Sequence, residues 1–377
     1  MKEAKIRNIV SPGMLNSPRE LSLGTWHSGI YLLPPETPIG SKLCQHIMPD
    51  TIIEADIQPN RAHDCFSHLG LAREIAALLN LNVKEPEHFK LPLTGGLKDW
   101  SVSIEDDLDT PRYLAALFSD AKIKNSPLWL QSRLWAMGVH PLNNVVDITN
   151  YVMYEIGNPI HAFDAQKLPG QDILVRRANK GETITNLDDT NSQLTPDNLL
   201  ITSNNEPVAI AGVIGGQETQ VTNDTTDILL EAANFRGLTI QQSCAAIKKS
   251  TDSSARFTRQ LPPQLVSPAA SRAARLFTQL AEASFKGFID HYPKKPSKKI
   301  ITINPSLISK LTGLNINNQT IEKIFTRLRF SVDSTKPVWS VTVPEDRLDL
   351  NLDHLSLIHI SEPTRPLYIS YAVFCLK

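Results

Sequence analysis

Apolar residues fall at Phe66, Leu69, Ala72, Ile75, Ala76 and Leu79, the three- and four-residue spacing of one helical face. The stretch before it, 51–58 (TIIEADIQ), alternates like a strand until Pro59-Asn60-Arg61 breaks it. Together they predict a strand–turn–helix unit. Ser126, Pro127 and Gly138 frame a second helix as N-cap, first residue and C-terminal cap, with Leu130, Leu134 and Met137 on one face. VVDI (145–148) reads as a buried-type strand, and further strand-like runs are DILVRRA, NLLITS, PVAIAGVIGG and DILLEAA. An alanine-rich helical stretch runs from about Pro263 to Ala283. After a basic, proline-containing linker (291–300), ITIN, PSLISKLTGL, NQTIEKIFTRLRF and VWSVTVP predict strand, helix, helix and strand, with Ile321, Ile324, Phe325 and Leu328 on one face.

Strands mixed with helices around more than one core predict an α+β, multidomain chain. The expected units are a strand–turn–helix part of a core domain at 48–88, a mixed α/β domain at 89–290 and a small, truncated α/β domain at 291–354. Residues 1–47 are rich in turn signals, with Ile30–Leu33 alone strand-like, and read as the end of a domain that starts earlier.

Composition narrows the partners. The 377 residues are 41% hydrophobic and carry a formal net charge of −1, so any RNA contact is local or shared with another chain. Four scattered cysteines with no C-x-x-C pair argue against a disulfide framework or a zinc site. His63, Asp64, Cys65 and His68 match no familiar zinc spacing. Lys294, Lys295, Lys298 and Lys299 read as solvating the linker rather than gripping phosphate. MKEAKIRNIV is no signal peptide, and no apolar run approaches the roughly 18 residues of a membrane span. A soluble, cytoplasmic protein without a membrane partner is expected.

Four strings carry more specific information: DIQPNRAHDCFSHLGLAREIAALL, NNVVDITNYVMYEIGNPIHAFD (143–164), PVAIAGVIGGQETQVTNDTTDILLEAANF (207–235) and TDSSARFTR (251–259). In this order they resemble the beta subunit of bacterial-type phenylalanyl-tRNA synthetase. SPGMLNSPREL is similar to the end of that family's tRNA-binding OB domain. The resemblance implies that 89–290 is a tRNA-editing domain, following the end of an OB fold and preceding a small partial domain. It also implies tRNA(Phe) and an alpha subunit as partners in an α2β2 enzyme that uses ATP and Mg2+ there, with no cofactor expected for this fragment alone. Of the family's shared magnesium site, Arg347-Leu348-Asp349 is present, and the other ligands are missing. RAHDC is one residue longer than the usual string, Asn16 replaces a frequent cysteine, Ser253 an alanine, Thr258 a glutamate and Gln260 a glycine.

An apolar phenylalanine site cannot strongly reject tyrosine, which only adds a hydroxyl; a second site must recognise that hydroxyl and hydrolyse the ester. Glu231, ending DILLEAA, is the candidate phenol acceptor; the plainer alternative is a surface glutamate at a strand end. His161, after the turn-prone Gly157-Asn158-Pro159-Ile160, orients a water or an RNA hydroxyl, or else is a structural histidine bonded to backbone. Thr149 and Asn150, after VVDI, hold the ester or amino group, or form an ordinary strand-end turn. Gly215-Gly216 permits close approach to a ligand, or is a simple tight turn. Pro159, Thr251 and Ser253 line the substrate site by resemblance, and Asp349 is the metal candidate.

The function expected is hydrolytic editing of Tyr-tRNA(Phe), tRNA binding and assembly within the ligase; the alternative is a non-catalytic RNA-binding and assembly module with a decayed site. Residues 355–377, LIHISEPTR included, resemble a translated sequencing-adapter end and continue no predicted element. Deleting them is expected to leave the melting temperature unchanged; a drop of several degrees by calorimetry shows the tail to be structural.

Overall fold

The computed structural model describes residues 4–350 other than 7, 12, 14, 25, 28, 48–50, 91–95 and 314; the adapter-like tail lies outside the described residues. A hairpin of β1 (Ala4–Ile6) and β2 (Ile9–Ser11) leads into irregular chain. Ile30–Leu33 and 51–58 form no strand. Ile30, Leu32, Ile52 and Ile53 remain exposed, because no neighbouring strand pairs with them. Alternation alone does not satisfy a ladder. The helix expected next is present as α1 (Ala62–Cys65) and α2 (His68–Leu79), the latter capped by the Ser67 hydroxyl, which accepts from Gly70 N at 3.0 Å.

Two sheets and a helical layer follow. They are built from β3 (Ser101–Ile104), β4 (Arg112–Ser119), α3 (Leu128–Ala136), α4 (Asn144–Ile156), β5 (Ile160–Asp164), β6 (Asp172–Arg177), β7 (Thr183–Thr185), β8 (Asn191–Gln193), β9 (Leu199–Ser203), β10 (Glu206–Ile210), β11 (Ile214–Gly215), β12 (Ile228–Asn234), α5 (Gly237–Ile247), α6 (Asp252–Phe257), α7 (Val266–Leu280) and β13 (Ser284–His291). The strands β13-β4-β12-β5 make an antiparallel sheet, and β11-β10-β9-β6-β3 make a second one in which only β3 and β6 run parallel.

Strand periodicity explains the layering. Even-numbered Ile228, Leu230 and Ala232 face one core with Leu130, Leu134, Ile148 and Val152 of α3 and α4. Ala269, Ala270, Ala273 and Ala274 of α7 lie there too, and their small side chains let that helix approach closely. Odd-numbered Leu229 and Ala233 face the second sheet, in a core with Phe163, Ile173, Val175 and Ile201. All seven residues of β12 are buried.

Two expectations fail here. VVDI is helical: Val145, Ile148, Val152 and Ile156 share a buried face, and the Asn143 side chain caps Val145 and Val146 N–H at 3.1 and 3.0 Å. Ser126 does not cap α3, which starts at Leu128; its hydroxyl instead donates to buried Asp147 at 2.6 Å. Burial pushes that carboxyl up to about 6, against the Ser126 and Leu142 hydrogen bonds.

The last unit pairs β14 (Ile300–Ile303), β16 (Trp339–Thr342) and β15 (Ser331–Asp333) in that order under α8 (Pro305–Thr312) and α9 (Asn318–Arg327), with Phe325, Phe330 and Val341 in its core. Among the described residues no helix is long and apolar enough to cross a membrane.

Asn144 ties three segments together: its amide donates to Lys122 O at 2.9 Å and Leu280 O at 3.0 Å, and its oxygen accepts from Lys124 N at 3.1 Å. It is fully buried, so Asn144→Ala leaves these groups unpaired and is expected to reduce stability by about 2–4 kcal/mol in denaturant unfolding. A loss below about 0.5 kcal/mol contradicts this role.

Candidate functional site

Glu231 stands in the middle of β12, not at a strand end, and is 6% exposed. Its register partners are His161 on β5 and Ala115 on β4, so all three side chains share the face turned to the second sheet. No described side chain or backbone N–H hydrogen-bonds to it. Burial alone raises the carboxyl to about 8, so near neutral pH it is largely a neutral acid rather than the carboxylate the sequence suggests.

His161 lies beside it, edge-on to Phe163 at 4.5 Å between ring centroids. Part of the residue remains accessible, but Nε2 is enclosed without a partner, and burial lowers the ring to about 4. It is a neutral imidazole with a free nitrogen, not the backbone-bonded structural histidine.

The glycine pair has a spatial reason. A Cβ on Gly215 would stand 2.7 Å from His161 Cε1, and one on Gly216 would stand 2.6 Å from Val208 O. Neither has a positive φ, so room rather than backbone freedom requires them. PVAIAGVIGG is not one strand; β10 turns at 211–213 into β11, with Gly212 at φ +66°.

The remaining candidates take other places. Thr251 caps α6 and donates to Val213 O at 2.8 Å, and the Ser253 hydroxyl donates to Gly212 O at 3.1 Å. Both hydroxyls are thus tied to the β10–β11 turn that carries Gly215. Thr149 and Asn150 belong to α4, on the side of the sheet away from Glu231, and the Thr149 hydroxyl donates to Val146 O at 2.7 Å. Pro159 sits in the turn between α4 and β5. Fully buried Asn158, which sequence reasoning passed over, donates there to Pro159 O at 2.8 Å and Ala233 O at 3.3 Å. This fastens the entry of His161 to β12. Gly-Asn-Pro was visible as a turn, but the reach of Asn158 to β12 was not. Gln260 adopts φ +63° where the resemblance has glycine, a strain of about 1 kcal/mol.

Asp349 meets Arg347 at 2.9 and 2.8 Å and His63 at 3.0 Å. Burial opposes its charge, yet these bonds prevail and hold the carboxyl below its usual range. With its oxygens so engaged, Asp349 does not fit a magnesium site. The nearby Asp64, Cys65 and Glu74 come within 4.8 Å of one another, but Arg61 donates to all three, and burial pushes the Cys65 thiol up. Arg61 thus supplies a cation to this cluster.

Comparison with known proteins adds the following. Residues 109–282 match the B3/4 domain model and residues 301–354 the tRNA synthetase B5 domain model. The chain is 38% identical over 361 residues to the phenylalanine–tRNA ligase beta subunit of Carboxydothermus hydrogenoformans, covering 94% of this chain and 45% of that protein. It is 40% identical over 357 residues to that of Geobacter sulfurreducens, covering 93% and 44%. An N-terminal fragment of the phenylalanyl-tRNA synthetase beta subunit from Pyrococcus horikoshii is 14% identical with a TM-score of 0.45, over 84% of this chain and 85% of that one. The chain spans a little under half the length of the curated relatives it matches.

The two buried titratable groups bend stability in opposite directions. Glu231 is protonated in the fold up to about pH 8 but ionises in the unfolded chain above about 4.5, so stability falls as pH rises through that window. His161 stays neutral in the fold down to about pH 4 while the unfolded ring protonates below about 6.5, so stability falls as pH drops from 6.5 to 4. Glu231→Gln is expected to flatten the alkaline limb of a melting-temperature profile, and His161→Gln the acidic limb. A variant that keeps the wild-type slope on its own limb refutes the corresponding assignment.

Proposed function

The chain belongs to the family of phenylalanine–tRNA ligase beta subunits, and we propose that it hydrolyses Tyr-tRNA(Phe) in the layer between its two large sheets. The observation that carries this reading is the pairing of a buried, unpartnered carboxyl at Glu231 with the unpartnered Nε2 of His161 on the adjacent strand. An apolar layer with two unsatisfied polar groups suits an aromatic side chain bearing one hydroxyl.

Glu231 receives the phenol. A neutral carboxyl accepts the phenol proton on its carbonyl oxygen and donates its own hydrogen to the phenol oxygen. Phenylalanine offers neither bond and leaves the carboxyl desolvated. His161, neutral and free at Nε2, holds the attacking water by hydrogen bond, takes its proton as the ester carbonyl is attacked, and returns that proton to the ribose oxygen as the C–O bond breaks and the tRNA alcohol leaves. Gly215 lets the backbone pass close to the ring without a side chain colliding with it, since a Cβ there would stand 2.8 Å from Nε2. Thr251 and Ser253 act at one remove, by fixing the turn that bears Gly215. Pro159 borders the aminoacyl group from the α4–β5 turn, whereas Thr149 and Asn150, behind the sheet on α4, take no direct part in this reading. Binding of tRNA(Phe), assembly with an alpha subunit, and use of ATP and Mg2+ belong to the complete ligase in this reading.

Glu231→Ala is expected to reduce the preference for Tyr-tRNA(Phe) over Phe-tRNA(Phe) roughly tenfold to a hundredfold in deacylation assays. Glu231→Gln, which also accepts and donates, retains most of it. His161→Ala slows both substrates and changes their ratio little. An unchanged ratio in Glu231→Ala removes the carboxyl from the recognition site.

A further inference from the structure

We infer that Tyr113 is a specificity-determining residue of the same pocket, its hydroxyl acting with the Glu231 carboxyl to receive the para-hydroxyl of the aminoacyl group. The inference rests on the hydrolysis reading above.

Tyr113 lies on β4, is fully buried, and its hydroxyl has no partner among the described residues. A phenol enclosed without a hydrogen bond is an uncompensated desolvation. The register relates the two groups. Glu231 is opposite Ala115, and Ala233 is opposite Tyr113. Cross-strand partners share a face and successive odd positions repeat it, so these four residues form a square facing the second sheet. Its long polar members occupy one diagonal, and the other diagonal carries only methyl groups, both buried. The phenol also senses the carboxyl: burial first, and the Glu231 charge second, raise the Tyr113 hydroxyl well above its ordinary range. His291, opposite Tyr113 on β13, is engaged with Asp107 at 3.3 Å and is not its partner.

A second hydroxyl has a chemical use here. A substrate phenol has one proton and two lone pairs. The carboxyl takes the proton, while Tyr113 donates to the phenol oxygen. A phenylalanyl group then leaves two buried polar groups unpaired instead of one, which deepens discrimination beyond what Glu231 supplies alone.

Tyr113→Phe removes one oxygen and keeps the ring, so packing is preserved. In the full chain it is expected to lower the ratio of Tyr-tRNA(Phe) to Phe-tRNA(Phe) deacylation about threefold to tenfold, through slower hydrolysis of the tyrosyl ester. An independent readout is the titration of the Glu231 carboxyl by carbon-13 NMR. Loss of a neighbouring donor is expected to move its midpoint upward by about half a pH unit. An unmoved midpoint overturns the placement of Tyr113 beside Glu231. A moved midpoint with an unchanged substrate ratio overturns the specificity role. A wild-type chain with no preference for the tyrosyl ester overturns the hydrolysis reading itself, and the specificity role with it.

Discussion

A strand buried on both faces is the constraint on which the rest of this molecule depends. β12 runs through the middle of its sheet with helices on one side and a second sheet on the other, and all of its residues are buried. Such a strand is normally aliphatic throughout. Here one carboxyl interrupts it, and burial is what sets its protonation. The neutral state of Glu231, the depressed basicity of His161 and the orphaned phenol of Tyr113 all follow from burial in the same layer. A fold selected only for stability fills such a layer with hydrocarbon.

The turns at the rim of that layer are fixed by hydrogen bonds. Asn158 fastens the α4–β5 turn to β12, and Thr251 with Ser253 fastens the β10–β11 turn to α6. Both turns are thereby fixed by backbone carbonyls, which leaves the interior polar groups uncommitted. Gly215 completes the arrangement, since any side chain there would collide with the His161 ring.

The joints between units are electrostatic. Arg61 bridges Asp64 and Glu74, while Arg347 holds Asp349 and approaches Asp64 at 3.6 Å, so α1 and α2 meet the last unit through a partly buried network. On the opposite side, Arg256 is enclosed between Phe66 and Tyr154, with its guanidinium 4.5 and 4.6 Å from their ring centroids. Planar, weakly hydrated arginine suits both settings better than lysine.

Helical spacing at 66–79 and 318–327, the strand DILLEAA and the alanine-rich stretch after Pro263 were legible because each is a local period of hydrophobicity. The family, and with it Glu231, His161 and Gly215 as a set, was legible from long strings read in order. VVDI misled because four apolar-rich residues fit a strand or a helix equally, and only the longer pattern with its Asn143 cap decides. TIIEADIQ misled because a strand requires a partner, which no single segment encodes. By itself, then, the sequence determined which residue types were available and which segments coil or extend. Tertiary structure alone decided that Glu231 lies mid-strand opposite His161, that Tyr113 stands diagonally across from it, and that Thr251 and Ser253 hold a turn. The reason is physical: register, burial and the loss of hydrogen-bonding partners arise between segments far apart in the chain, and they set the protonation of each group only once the two sheets close over them.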